Sequence, residues 1–332
     1  MGFSSVGIAD IELEQEAEGF QAWVAAGQHG EMEYMARHGE KRWRPDELQT
    51  GTQSVICVAL DYWPNEVRDA DEVLVDADLA YVSRYALGRD YHKVLRNRLQ
   101  VFADAIASEI APHEYRVFTD SAPVMEIPLA HKAGLGWRGK HTLLLNRERG
   151  STFFLGEIYT SLKLDAATPQ NEHCGSCSAC IDVCPTQAIT GPHRLDARKC
   201  ISYLTIELKS AIPIEFRKAI GNRIYGCDDC QLVCPWNKFA RTAPVSDFEP
   251  RNGLDSATLV ELFSWTEAEF DERLQGSPIR RIGHERWLRN IAVALGNAPS
   301  SQTVLAALRA REHHSSALVR EHVAWALAQH AG

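Results

Sequence analysis

Two cysteine runs constrain this chain more than any other feature of its sequence. The first, CGSCSACIDVCP, spans Cys174 to Pro185, and the second, CDDCQLVCP, spans Cys227 to Pro235. The first run has the bacterial ferredoxin spacing C-x2-C-x2-C-x3-C-P, in which three close thiolates bind one [4Fe–4S] cluster and the fourth binds the other. The sequence therefore predicts a ferredoxin-like module that holds two [4Fe–4S] clusters.

Eight of the nine cysteines fit this arrangement. Cluster one is predicted to use Cys174, Cys177, Cys180 and Cys234, and cluster two Cys184, Cys200, Cys227 and Cys230. Zinc also binds paired C-x2-C motifs, but three cysteines within seven residues, followed by Cys-Pro, fit a zinc site poorly. The ninth, Cys57, lies in the apolar run SVICVAL and is predicted to be a core thiol.

Composition narrows the class of protein. The 332 residues have room for two or three domains, and a formal net charge of −9 argues against indiscriminate nucleic-acid binding. Local basic stretches remain at Arg84–Arg98, His131–His141 and Arg280–Arg289. No apolar run approaches the roughly 20 residues of a membrane span, and the start lacks a secretory signal. Clustered thiols then predict a cytoplasmic protein with no membrane partner.

The pattern of apolar residues divides the chain into three parts. Residues 1–165 alternate helix-like and strand-like segments, which predicts a mixed α/β domain. Residues 166–240 form the cysteine module. Residues 250–332 are helical, and LRNIAVALG and REHVAWALA align there at an offset of 32. This weak repeat predicts an all-α domain of HEAT-like repeats that packs on the rest of the protein.

Several elements of the first part can be placed from local pattern. ELEQEAEGFQAWVAAG predicts a helix that ends at Gly27, SVICVALDYW a buried strand, DYHKVLRNRLQVFADAIASEI a long helix, and YRVFTD a short strand that ends at Asp120. HTLLLN and STFFLGEIYTSLKL, separated by RERG, predict a hairpin.

Three local motifs need to be weighed. GLGWRG matches G-x-G-x-x-G, but a helix is predicted before it and a strand after it, the reverse of a dinucleotide site, and His141 stands where a Walker A motif needs Ser or Thr. The segment DYH is similar to a D-x-H-x-x-G cobalt-binding signature, which Leu95 breaks. Asp120 is either a catalytic acid facing a cleft or the N-cap of the next helix.

Longer motifs resemble one family. They are RYALGRDYHK, DSAPVMEIPLAHKAGLGWRGKHTLLLN, GSTFFLGE, CGSCSACIDVCPTQAI, RKCISYLTIELK and GNRIYGCDDCQLVCPWNK. Together they resemble the epoxyqueuosine reductases, the QueG family, over nearly the whole chain. The resemblance implies an α/β domain that binds base-off cobalamin, two [4Fe–4S] clusters, and removal of the epoxide oxygen of epoxyqueuosine at the wobble position of tRNA. It also implies an electron donor of the flavodoxin or ferredoxin type, and we expect a monomer.

The same resemblance implies roles for individual residues. Asp120 matches the proton donor next to cobalamin, a role for which its pKa would need to be raised. Further cobalamin contacts are expected at Lys140, Leu144, Leu155, Arg84 and Tyr85, and tRNA phosphate contacts at Arg280, Arg281 and Arg286. Two departures stand out: Ile127 replaces an Arg that many relatives carry, and the helix that usually precedes GFSSVGIAD is either upstream or absent.

Two other classes of protein remain open at this point. A reductive dehalogenase also combines cobalamin with two [4Fe–4S] clusters, although such enzymes usually carry an export signal. A ferredoxin-like electron carrier would share the cysteine motif, but it does not need 165 residues of α/β domain before its clusters.

Overall fold

The computed structural model describes residues 1–331. Within these residues there are ten strands and fourteen α-helices. The strands are β1 Ser5–Ala9, β2 Ser54–Asp61, β3 Tyr81–Val82, β4 Tyr115–Phe118, β5 Trp137–Arg138, β6 Leu144–Leu145, β7 Phe153–Thr160, β8 Ile189–Gly191, β9 Arg194–Leu195 and β10 Arg223–Tyr225. The helices are α1 Ala17–Ala25, α2 Glu33–Arg37, α3 Pro45–Leu48, α4 Ala70–Val75, α5 Tyr91–Glu109, α6 Glu126–Lys132, α7 Ala179–Asp182, α8 Ile214–Ile220, α9 Asp229–Leu232, α10 Leu259–Ser264, α11 Glu267–Arg273, α12 Gly283–Asn297, α13 Gln302–Ala310 and α14 Ala317–Gln329.

A four-stranded antiparallel sheet organises the first part of the chain. Its strand order is β1–β2–β7–β4. All eight residues of β2 are buried, because successive side chains point to opposite faces and both faces are covered. Cys57 packs in the core on one face with α6, while Ile56 and Val58 pack on the other face with α5. The predicted buried strand and the core position of Cys57 agree with this arrangement.

The two predicted helices form where the sequence pattern places them. Helix α1 ends at Ala25, and Gly27 follows with φ 64°, a left-handed conformation that glycine adopts without strain. Helix α5 begins after Asp90, whose side chain accepts a hydrogen bond from the backbone N–H of His92. This N-cap fixes the direction in which Tyr91 and His92 leave the helix start.

Two local predictions are wrong. Strand β6 pairs with β5, not with β7, and β7 lies between β2 and β4 in the sheet. The two apolar faces of β7 suit a central strand, so tertiary pairing overrides the expected hairpin. Asp120 is not an N-cap either, because the next helix, α6, begins at Glu126 with Met125 at its N-cap.

The mixed α/β fold with an added cysteine module is confirmed, but its packing joins the three parts closely. One core cluster combines Ala80 and Val82 of the first part, Ile224 of the module, and Trp287 and Ile291 of α12. Helices α12 and α14, which carry the two repeat segments, pack against each other. Among the residues described, no helix is long and apolar enough to cross a membrane.

Candidate active site and cofactor centre

A cavity of about 1370 Å³ lies where the three parts of the chain meet. Asp120 and Glu126 enter its wall from the first part, Cys200 and Glu207 from the cysteine module, and Arg281 from the last part. The volume exceeds the roughly 300–1,000 Å³ of an ordinary small-molecule site. The cavity can therefore take a large cofactor together with part of a substrate.

Asp120 is held at the cavity wall by an unusual backbone conformation. Its φ of 52° lies in the left-handed region, which Asp and Asn tolerate better than most residues. The Tyr91 hydroxyl donates a hydrogen bond to Asp120 Oδ2, and His92 Nε2 lies 3.0 Å from the same oxygen. The backbone N–H of Asp120 donates to Glu126 Oε1 at 2.5 Å. These contacts aim the carboxylate into the cavity.

His92 is fixed between two carboxylates. Its Nδ1 lies 2.8 Å from Asp90 Oδ1, and its Nε2 faces Asp120. The imidazole stacks on the ring of Tyr91 at 4.0 Å between centroids, and Tyr91 stacks on Phe154 at 4.2 Å. Arg281 Nη2 donates to Asp90 Oδ2 at 3.3 Å, and its Nη1 lies 3.0 Å from His92 Nε2, so the guanidinium contacts both residues.

The expected rise in the pKa of Asp120 is wrong for this structure. Burial alone would raise the pKa of Asp120, but hydrogen bonds from His92 and Tyr91, followed by the charge of His92, lower it below its usual value. For His92, burial lowers the pKa, but hydrogen bonds to Asp120 and Asp90 outweigh this effect and raise it. At neutral pH the proton of this pair is therefore held on His92 more than on Asp120.

Two further carboxyl groups lie behind Asp120. Burial, followed by the charge of Asp120, raises the pKa of Glu126 to about 8. Glu157, on β7, has 0% of its surface exposed, and burial together with Glu126 raises its pKa well above the usual value. Glu207 also lines the cavity, and its pKa is raised by burial and by Asp120.

The cysteines of the two runs influence one another across the module. Burial raises the pKa of Cys180, and the neighbouring thiols that add to this effect are Cys234, Cys174 and Cys177. The pKa of Cys230 is likewise raised by burial and then, among the thiols, mainly by Cys200 and Cys184. Cys227 also lies near Cys200. Cys234 and Cys184 thus each lie near the cysteines of the other run.

This arrangement suits clusters better than single ions. All nine cysteines are free thiols in the structure. Among residues 1–331, no three His, Cys, Asp or Glu side chains lie close enough together to hold one metal ion. A zinc site needs four ligands at about 2.0–2.3 Å from one ion. The cysteine spacing, with three ligands within seven residues followed by Cys-Pro, is that of a four-iron cluster and fits a zinc site poorly.

The residues expected to contact cobalamin are divided by the structure. Tyr85 and Asp120 line the cavity, but Lys140, Leu144, Leu155 and Arg84 do not. Lys140 Nζ donates instead to the backbone oxygens of Gly175 and Cys177, at 2.6 and 2.8 Å. Leu144 is in the core with Leu155 packed against it, and the buried Arg84 guanidinium stacks on Tyr81. The side chains of Lys140 and Arg84 are therefore engaged away from the cavity, whereas the contacts expected of Leu144 and Leu155 involve mainly their backbone atoms.

The three arginines expected to contact tRNA also have different surroundings. Arg280 is exposed and pairs with Asp271 at 3.1 Å. Arg281 and Arg286 line the cavity, and Arg286 donates to the backbone oxygens of Ile282 and Ile206 at 2.7 and 2.9 Å. Of these three arginines, Arg280 is the one whose exposed side chain lies outside the cavity wall.

The chain is similar over almost its whole length to known enzymes. The family described as "Epoxyqueuosine reductase QueG, DUF1730" matches residues 42–121, and the "4Fe-4S double cluster binding domain" matches residues 173–237. An epoxyqueuosine reductase of Xanthomonas campestris is 61% identical, with 99% of this chain and 93% of that relative covered. One from Escherichia coli is 54% identical, with 99% and 86% covered.

The chain belongs to the epoxyqueuosine reductase family. It is therefore an oxidoreductase that acts in tRNA modification. Because the similarity covers 99% of the chain, this assignment takes precedence over the dehalogenase and the electron carrier. Epoxyqueuosine reductases use two [4Fe–4S] clusters and cobalamin, the cofactors that the sequence resemblance implied.

Solved epoxyqueuosine reductases have the same fold. A crystal structure with an epoxyqueuosine-modified stem loop of tyrosine tRNA has a TM-score of 0.91 at 29% identity, covering 100% of this chain and 87% of that one. A structure from Bacillus subtilis, whose catalytic aspartate loop is swung out of the active site, has a TM-score of 0.89 at 27% identity, with 100% and 87% covered.

Sequence reasoning missed several polar residues of this site. Tyr91, His92, Glu126 and Glu157 carry no metal-ligand or catalytic spacing that would single them out. The D-x-H segment did draw attention to His92, but as a cobalt ligand. In the structure, that histidine is instead engaged by Asp90 and Asp120.

Proposed function

We propose that this chain reduces the epoxide of epoxyqueuosine in a tRNA anticodon loop inside the cavity described above, leaving an alkene and releasing the oxygen as water. The observation that carries this proposal is that Cys200 and Asp120 line one cavity. Cys200 is the predicted ligand of cluster two that lies outside both cysteine runs. The source of electrons and the source of protons are therefore adjacent to the same bound substrate.

The cavity wall fits a bound cobalamin. Residues 121–128 supply Ala, Pro, Val, Met and Ile side chains to the wall, and residues 190–195 approach from the cysteine module. The chemistry that cobalamin supplies when bound is stepwise reduction at cobalt and delivery of those electrons to an epoxide carbon. His92 is engaged by two carboxylates, so this histidine is not free to ligate cobalt.

Asp120 and His92 act as one acid in this proposal. Opening an epoxide places negative charge on oxygen, which a nearby proton must neutralise. His92 Nε2 lies 3.0 Å from Asp120 Oδ2, within reach of proton transfer. A substrate that fills the cavity displaces water from Asp120 and so raises its pKa, because burial disfavours the charged form. Asp120 then takes a proton from His92 and passes it to the substrate oxygen.

Electrons are proposed to enter at cluster one and leave from cluster two. Cys177 is exposed at the protein surface, whereas Cys200 reaches the cavity. This order gives a flavodoxin- or ferredoxin-type donor a docking point near Cys177. The ligand sets of the two clusters, including the crossing of Cys184 and Cys234, are part of the same proposal and rest on the neighbouring thiols described above.

The tRNA is proposed to approach the last part of the chain. The anticodon nucleotide must leave its stack to reach a buried site, as in enzymes that act on an extruded base. Arg280 on the exposed surface is suited to a phosphate, and Arg281 at the cavity wall is suited to the extruded nucleotide. Arg281 also provides a guanidinium at the cavity, where Ile127 has replaced the Arg of many relatives.

Asp120→Asn tests this proposal. Asn keeps the size of the side chain and tolerates the left-handed backbone, but it cannot carry the proton. The variant should bind both clusters and cobalamin, as measured by absorption, and should lose conversion of an epoxyqueuosine-containing stem loop. Asp165→Asn, at an exposed position, is the matched control. Full activity of the Asp120 variant would exclude Asp120 from the reaction.

A further inference from the structure

Glu157 is a fully buried acid in the middle of the sheet. It lies on β7 opposite Cys57 of β2 and Phe118 of β4, and 0% of its surface is exposed. Among the described residues, neither of its carboxyl oxygens has a hydrogen-bond partner of good geometry. An isolated carboxylate in such a place would cost many kcal/mol, so the group is held in its neutral, protonated form.

Glu157 faces one other titratable carboxyl group, that of Glu126. The two side chains are close enough to interact directly, and Glu126 in turn accepts the backbone N–H of Asp120 at 2.5 Å. Glu126 also lines the cavity. A row of three carboxyl groups thus leads from the sheet interior, through the start of α6, to the substrate space.

The reaction needs more protons than Asp120 and His92 share. Converting an epoxide to an alkene and water breaks two carbon–oxygen bonds, forms one carbon–carbon π bond, and consumes two electrons and two protons. The electrons come from the low-potential donor protein through the clusters. Asp120, supplied by His92, accounts for the first proton. After that transfer the pair is depleted, and the oxygen still has to take a second proton before it leaves as water.

We propose that Glu126 is the acid that supplies this second proton, and that its enclosed position beside the Asp120 carboxylate keeps it protonated. This proposal rests on the proposed function. Glu126 and Asp120 are adjacent at one wall, so both protons reach the same oxygen without a large movement of the substrate.

The charges around Glu126 support this role. Burial and the carboxylate of Asp120 raise the pKa of Glu126 to about 8, while the hydrogen bond from the Asp120 N–H, the charge of His92 and the nearby Glu157 carboxyl group act in the opposite direction. Three other titratable groups face these carboxyl groups, namely Tyr91, Cys57 and Tyr159. Each has a raised pKa, so each stays neutral near pH 7. An acid that is protonated at neutral pH, with a pKa close to it, is well matched to proton donation.

Infrared spectroscopy of the protein without cobalamin or tRNA tests the protonation state directly. At pH 7 the wild type should show the carbonyl stretch of protonated carboxylic acids. Glu126→Gln should remove part of this band, and the additional change Glu157→Gln should remove the part that remains. Glu109→Gln, at an exposed position, should leave it unchanged. An unchanged band in Glu126→Gln would mean that Glu126 is ionised and would overturn the proposal, whatever the substrate of the enzyme.

Kinetics of the reduced holoenzyme on an epoxyqueuosine stem loop provide the second test. Glu126→Gln keeps the acceptor for the Asp120 N–H but cannot donate a proton as an acid, so turnover should fall about 100-fold or more with tRNA binding unchanged. Wild-type activity should decline as pH rises through about 8, and this decline should be absent from the residual activity of the variant. Glu126→Asp should restore part of the rate. Wild-type-like turnover in Glu126→Gln would overturn the proposal, while a wild type inactive on epoxyqueuosine would instead overturn the proposed function.

Discussion

Arg289→Met removes the buried guanidinium that joins the last part of the chain to the cavity wall. Arg289 lies on α12 with 0% of its surface exposed. Its Nη1 donates to the backbone oxygens of Leu208 and Ser210 at 2.7 and 2.8 Å, and its Nη2 donates to that of Leu204 at 2.8 Å. These oxygens belong to the π-helix Tyr203–Glu207 and the residues just after it. The last carbonyl groups of a helix have no intrahelical partner, so they depend on donors of this kind.

The size of the effect follows from the carbonyl groups left without a partner. Each buried orphan costs roughly 1–3 kcal/mol. Part of this cost is offset, because the substitution also removes the cost of burying the charge of Arg289. Burial lowers the pKa of Arg289 to about 9. A net loss of about 4 kcal/mol is expected, which corresponds to a decrease in Tm on the order of 8 °C. The π-helix also follows Cys200, so cluster two should be lost more readily than cluster one.

Thermal unfolding under anaerobic conditions and iron content per chain measure both effects. Arg280→Met is the control, because Arg280 is exposed and, within residues 1–331, it forms one ion pair, with Asp271 on the surface. Such pairs contribute about 0–1 kcal/mol. If Arg289→Met unfolds within about 2 °C of the wild type and retains its iron, the guanidinium does not support the π-helix, and the reasoning is refuted.

Three further outcomes are expected. Turnover should decline as pH rises through the raised pKa of His92, since only the protonated imidazole can resupply Asp120. The ion pair between His92 and Asp120 should stabilise the fold most below pH 6.5. His92→Gln should lower the rate about 100-fold and remove this decline, and an unchanged pH profile would contradict the role of His92. Cys184→Ser and Cys200→Ser should leave the same residual cluster by electron paramagnetic resonance, distinct from that left by Cys180→Ser; matching spectra for the Cys184 and Cys180 variants would disprove the crossing. Arg280→Glu should weaken stem-loop binding and reduce the slope of the logarithm of affinity against the logarithm of salt concentration by about one, with turnover at saturation unchanged. If the variant and the wild type have equal affinity at all salt concentrations, the RNA binds elsewhere.

Features encoded in short stretches were predictable from the sequence. The spacing of the cysteines specifies cluster type because three ligands of one cluster lie within seven residues. The strand at SVICVAL and the helix after Asp90 follow from local apolar pattern and an N-cap. The pairing of β7 with β2 and β4 could not be predicted in this way, since the choice of partner depends on strands that are distant in sequence.

The properties of the acid site were not predictable for the same physical reason. The pKa of Asp120 depends on Tyr91 and His92, which lie 29 and 28 residues earlier on α5. The Asp120 side chain is 52% exposed, and two donors at hydrogen-bond distance outweigh the partial loss of water around it and lower its pKa. Glu157 sits in a strand as a single polar residue among apolar ones. Nothing in that pattern distinguishes a buried acid from a solvent-facing one.

Cys200 connects the electron-transfer module to the rest of the enzyme. It lies outside both cysteine runs, it lines the cavity, and it directly precedes the π-helix that Arg289 and Asn290 of α12 hold. Arg286 at the start of α12 also donates to the backbone oxygen of Ile206, and Arg281 in the turn before α12 lines the same cavity, so the last part of the chain is joined through buried hydrogen bonds to the segment that follows Cys200, the proposed ligand of cluster two. Rigid coupling of this kind favours electron transfer, because it fixes the distance between cluster two and the substrate space. On the proposed cluster assignment, the packing of the C-terminal helices therefore fixes the position of a ligand of cluster two.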